Sequence, residues 1–144
     1  MTNSLQENDW KVLQVSIDNY PAVISFRTSI NTPENIKLLP FQAGVAVPFL
    51  QPTELGLPTD TEANQLWKIE DRLKLELQTE YRALHAVTIT TQRIREFVFY
   101  VAEWKPKEIE HTIKIIEKHI NDSRELQFML KEDRDWETYK NFTQ

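Results

Sequence analysis

Two stretches with helical periodicity frame a pair of adjacent strand-forming segments, and that order leaves few folds open. The first helical stretch runs from Thr59 or Asp60 to about Thr79, with Leu66, Ile69, Leu73 and Leu77 on one stripe. Three- and four-residue spacing of this kind marks a helix with one buried face. Thr59 or Asp60 is the expected N-cap, and Thr59 has Glu62 three residues on, the spacing of a capping box that satisfies two backbone donors reciprocally. Glu70 with Lys74 and Arg72 with Glu76 are four-residue pairs on the solvated side, each contributing about 0.3 kcal/mol. The second helix starts at Lys105-Pro106, because proline suits a first-turn position whose amide has no partner anyway. Ile109, Ile113, Ile116 and Ile120 form its stripe, and Asn121-Asp122-Ser123 ends it. Between the helices, Ala83 to Thr91 is rich in Val, Thr and Ile, and Arg95 to Glu103 carries Phe97, Val98, Phe99, Tyr100 and Val101. A continuous apolar run needs cover on both faces, so the second of these is expected to be a central strand.

The flanks read as further strands. Trp10 to Ile17 alternates, with Leu13, Val15 and Ile17 on one side; Asp18-Asn19-Tyr20-Pro21 supplies a turn; Ala22, Ile24 and Phe26 then resume the alternation. A hairpin is the economical reading. Thr32-Pro33-Glu34-Asn35 breaks it, and a strand over Ala43 to Phe49 follows, in which Pro48 fits only a strand end or an edge. Pro52 to Pro58 is a loop. Leu126, Phe128 and Leu130 alternate in a last strand, after which Asp133 or Asp135 caps a short helix bearing Trp136, Tyr139 and Phe142. The order is β-β-β-α-β-β-α-β-α. It predicts an α+β fold over residues 1–144 as a single domain. Its centre is a ferredoxin-like βαββαβ core, with an added N-terminal hairpin and a short C-terminal helix. The sheet should be mostly antiparallel, with both long helices on one face.

Composition narrows the function classes. Seventeen Lys and Arg against 22 Asp and Glu leave a net charge of −5, the wrong sign for a nucleic-acid surface. Phe97, Phe99 and Tyr100 resemble the stacking aromatics of RNA-binding sheets, but the glycine-aromatic motif that goes with them is missing, so packing is the expected role. No cysteine is present, which removes thiolate chemistry, and Gly44 and Gly56 are too far apart for a phosphate loop. His111 and His119 are eight residues apart on one helix, about 12 Å, too far to share a metal ion. Glu70 and Asp71 are consecutive and point about 100° apart on a helix, so they form no carboxylate dyad. No catalytic residue, metal site or cofactor is expected. Met1 to Glu7 lacks a signal peptide's basic start and apolar stretch, and no run of 18 apolar residues occurs, so a cytoplasmic protein without membrane contact is expected.

Four segments, in order, are similar to one bacterial family, the domain of unknown function 695. They are Trp10 with Asp18-Asn19-Tyr20-Pro21-Ala22; Gly56-Leu57-Pro58-Thr59 with Glu62, Leu66 and Ile69-Glu70-Asp71-Arg72-Leu73; Arg95-Glu96-Phe97-Val98-Phe99-Tyr100; and Asp135-Trp136-Glu137 with Tyr139 and Phe142. The chain departs from the pattern at Arg134, where proline is usual, and in the turn Gln92-Arg93-Ile94, which lacks a glycine. The resemblance implies a fold and no established activity. It also implies a distant association with regulator B of ribonuclease E, a protein-binding inhibitor with a ferredoxin-like fold.

Two readings of function lead, with single-stranded RNA binding on the aromatic strand a third that predicts strongly salt-dependent association. In the first, the chain is a non-catalytic module that binds a protein, such as a basic nuclease or toxin. Here the strand Arg95 to Glu103 leaves apolar surface for an interface of Val98, Tyr100, Trp104, Trp136 and Tyr139, and a two-fold homodimer is expected to bury what the terminal helix does not. Tyr100→Glu should then weaken the dimer while leaving the core folded. In the second, the sheet face without the long helices makes the chain a small-molecule ligand-binding domain or an enzyme. A two-residue turn Gln92-Arg93 sets Thr91 opposite Ile94, and counting back puts His85 opposite Tyr100, with Val87 and Val98 on the same face. His85, Tyr100 and Arg95 would be the ligand contacts, Arg95 forking onto a carboxylate or phosphate.

Overall fold

A computed structural model describes residues 9–120 and 122–143. Met1 to Glu7 and the helix-ending Asn121 of the preceding section lie outside the described residues. Among the described residues six strands form one sheet: β1 (Trp10–Ile17), β2 (Tyr20–Arg27), β3 (Phe41–Pro48), β4 (Leu84–Thr91), β5 (Ile94–Val101) and β6 (Gln127–Glu132). The helices are α1 (Pro33–Leu38), α2 (Asp60–Tyr81), α3 (Pro106–Ile120) and α4 (Glu137–Thr143). The strand order is β1-β2-β4-β5-β3-β6, and every neighbouring pair is antiparallel. Read from β3, this is the ferredoxin-like arrangement, in which the last strand lies beside the first and the third separates the first from the second. The N-terminal hairpin extends the sheet by pairing β2 with β4. No described helix is long and apolar enough to cross a membrane.

The sheet divides two cores. On one face, the stripes Leu66-Ile69-Leu73-Leu77 of α2 and Ile109-Ile113-Ile116 of α3 pack on Ala43, Val45 and Val47 of β3 and on Phe97, Phe99 and Val101 of β5. The opposite face holds Ile24, Phe26, Val87, Val98 and Tyr100 under Trp136 and Tyr139, with Ile30, Ile36 and Leu39 closing the side. β5 is thus buried on both faces, as its continuous apolar run requires. Pro48 takes the last position of β3, where no further ladder bond is needed.

Three local features depart from expectation. The segment expected to break the hairpin contains α1, for which Thr32 accepts a cap bond from the Asn35 amide at 3.1 Å and Pro33 takes the first helical position. The capping box at α2 is half formed. Thr59 accepts from the Glu62 amide at 3.2 Å, but the Glu62 carboxylate accepts from the Leu50 and Gln51 amides at 2.5 and 2.8 Å and pairs with Arg124 at 3.1 Å. The carboxylate thus ties the Leu50–Gln51 loop and the buried Arg124 to the start of α2 through charge-assisted bonds.

The third departure is in β4. The turn Gln92-Arg93 does set Thr91 opposite Ile94, with Arg93 left-handed at φ 70°. The Arg93 amide donates to Gly56 and its carbonyl accepts from Phe49, which holds the turn without a glycine at that position. Between His85 and Val87, however, the register shifts by a β-bulge. Leu84 therefore pairs with Tyr100, and His85 pairs with Phe99. One extra residue reverses the facing of everything beyond it.

Candidate functional site

The bulge dissolves the expected His85–Tyr100 pair. His85 lies on the helix-covered face, with its ring centroid 4.8 Å from Phe99 and 4.9 Å from Trp10. Tyr100 lies on the other face, stacked on Trp136 at 4.3 Å. Its hydroxyl donates to Asp133 at 2.7 Å and accepts from the Tyr139 amide at 3.3 Å. Asp133 also accepts from the Glu137 and Thr138 amides, so one carboxylate caps α4 and anchors it to the sheet. Burial first, and then the bond to Asp133, push the Tyr100 phenol far up. Four of the five expected interface residues, Val98, Tyr100, Trp136 and Tyr139, are therefore interior. Only Trp104 is exposed, edge-on against Phe41. Tyr100→Glu would put a second carboxylate against Asp133 inside this core, so it tests folding and not association.

Arg95 shares the helix-covered face with His85 and lines a polar cavity of about 290 Å³. The cavity exists because the hairpin carries the sheet outward past α2, leaving a ledge between the helix and the strands. Trp10 and Val12 of β1, Val23 and Ser25 of β2, and Thr88 and Thr90 of β4 form its floor; Glu70 and Lys74 come down from α2. Arg95 Nε donates to Thr90 Oγ1 at 2.9 Å across the β4–β5 ladder. Lys74 Nζ lies 3.7 Å from Glu70. Burial raises the Glu70 pKa against the pull of Lys74 and Arg95, and burial lowers that of Arg95 against the pull of Glu70.

Behind this floor, His85 Nε2 shares a 2.9 Å hydrogen bond with Thr88 Oγ1, while Nδ1 has no partner among the described residues. Burial, together with the charge of Lys74 and, less strongly, Arg27, pushes its pKa down to about 3 against a weaker opposing pull from the Val87 backbone. The imidazole is neutral at physiological pH. Helical periodicity alone puts Glu70 and Lys74 on the wet face of α2, and it points to no site at Trp10. The four-residue spacing of Glu70 and Lys74 was visible, but only the placement of the hairpin beside β4 turns that pair toward a cavity.

The second exposed feature is β1 itself, which is an edge strand. Its side chains remain open on both faces: Val12 is 62% exposed, Leu13 42%, Val15 38% and Ile17 40%. The backbone follows from the register. Thr28 donates to the Asp9 carbonyl, and Trp10 pairs with Arg27. Hydrogen-bonded pairs alternate along an antiparallel ladder, so the odd-numbered residues of β1 bond to β2. The amides and carbonyls of Trp10, Val12, Gln14 and Ser16 therefore point away from the sheet.

No curated protein matches the chain. Residues 8–143 match the family described as Family of unknown function (DUF695), a span that contains every described strand and helix. On a match of that extent, the chain belongs to this family of unknown function.

Proposed function

We propose that the chain is a non-catalytic protein-binding module that takes up an extended segment of a partner by strand addition to β1. The observation that carries this reading is an eight-residue edge strand with unpaired outward backbone groups and four exposed apolar side chains. Edge strands are ordinarily blunted by proline, bulges or charge, because a bare edge is a template for another strand. β1 contains no proline and one charged residue, Lys11. The net charge of −5 favours a basic partner through long-range attraction, and a nuclease or toxin of that charge would fit.

The test is purification of bound protein with the wild-type chain and with Gln14→Pro in parallel, at low and physiological salt. Gln14 is exposed and its amide points outward, so proline there deletes an outward donor without removing a bond to β2. A stoichiometric partner that wild type retains and Gln14→Pro loses is the expected result. Equal retention by both, or no stoichiometric partner at low salt, would overturn the reading. A dimer by light scattering in place of 17.1 kDa, dissociated by the same substitution, would assign the edge to a second copy and overturn the heterologous partner.

A further inference from the structure

The cavity between α2 and the hairpin has the chemistry of a small-ligand site, distinct from the outward backbone of β1 although Trp10 and Val12 of that strand line it. Arg95 spends its Nε–H on Thr90, and among the described residues its two Nη groups donate to no acceptor and join no ion pair. A half-buried guanidinium with its fork open to a cavity is a bidentate donor awaiting an oxyanion. Lys74 stands on the same cavity from α2, and Ser25 adds a hydroxyl from β2.

Charge and lining narrow the ligand. Arg95 and Lys74 carry two positive charges and Glu70 one negative, so the cavity holds a net charge of about +1, which one negative charge neutralises. A dianion would leave a desolvated excess charge, and a neutral molecule would leave the fork unpaired. Trp10, Val12 and Val23 supply an apolar wall, and Thr88 Oγ1 already shares one hydrogen bond with His85 Nε2. The volume of about 290 Å³ lies at the lower end for small-molecule sites. We infer that this cavity binds a small monoanionic organic acid, its carboxylate on Arg95 and Lys74 and its apolar body against Trp10.

The experiment is an NMR titration of the full chain with benzoate, read at the Arg95 Nε–H and the Trp10 indole N–H, with benzamide and inorganic phosphate as comparison probes. Benzoate should shift both signals saturably with a dissociation constant on the order of 1 mM, appropriate to a ligand of its size. Arg95→Ala should weaken binding by about tenfold or more, the scale for losing hydrogen bonds to a charged group. Should that variant unfold, Lys74→Gln on the half-exposed side of α2 is expected to weaken binding in the same direction. The inference is overturned by any of four results: no saturable shift with benzoate up to tens of millimolar, benzamide binding as well as benzoate, phosphate binding more tightly than benzoate, or a folded Arg95→Ala chain that binds undiminished.

Discussion

Replacing His85 by glutamine isolates what one buried imidazole does to acid sensitivity. In the fold, enclosure by Trp10 and Phe99 with Lys74 and Arg27 nearby holds its pKa at about 3. In the unfolded chain it titrates near the ordinary value of about 6.5. Between these values the unfolded chain binds more protons than the folded one, so stability rises with pH and is lost as pH falls below about 6.5. At pH 7.5 the effect is negligible. At pH 5.0 protonation favours the unfolded chain by RT ln(1 + 10^1.5), or about 2 kcal/mol, a figure that requires only that the folded pKa lie well below 5. Glutamine can offer Thr88 a hydrogen-bonding group near the position of Nε2 and does not titrate. Urea unfolding of both proteins at the two pH values, with constant m values, gives the comparison. The stability difference between wild type and His85→Gln should move by about 2 kcal/mol in favour of the variant on acidification. Carboxylates common to both proteins, including Glu70 and Glu96 with raised pKa values, cancel in that difference. Equal losses in the two proteins, within about 0.5 kcal/mol, would refute the assignment of a buried neutral imidazole.

Two further outcomes concern the folded frame. Arg124, buried, joins Glu62, Gln65, Asp122 and the Pro48 carbonyl. Arg124→Met leaves the Glu62 carboxylate buried without its cation, and chemical denaturation should show a loss of about 3–5 kcal/mol. Deleting residues 134–144 removes Trp136 and Tyr139 from the second core and uncovers Tyr100 and Val98. Increased binding of a hydrophobic dye and concentration-dependent light scattering are expected, and a truncated chain that stays monomeric and dye-silent would show that the 28–40 segment covers this face alone.

Much of the architecture follows from local pattern. The stripe of α2, the isoleucine stripe of α3 and the two-sided apolar run of β5 are periodic over whole elements, and their order admits the ferredoxin-like core. Residues this regular report their own surroundings, because burial on one face or two leaves a repeating trace in the chain. Single-residue decisions leave no such trace. The bulge at Ala86 is one extra residue in an otherwise alternating strand, and it carried His85 to the face opposite Tyr100. Packing selects it: Ala86 and Val87 both reach the second core, while His85 completes an aromatic cluster with Trp10, Phe97 and Phe99. Helix α1, at six residues, is too short to be stable by propensity and stands on its Thr32 cap and on Ile36, partly buried against the second core. The cavity joins residues from Trp10 to Arg95, and the strand edge exists only because the hairpin pairs through β2. Local periodicity determined the elements and their order. Contacts between residues distant in the chain decided which side chains meet, because those contacts depend on register and on which edge of the sheet the hairpin joins.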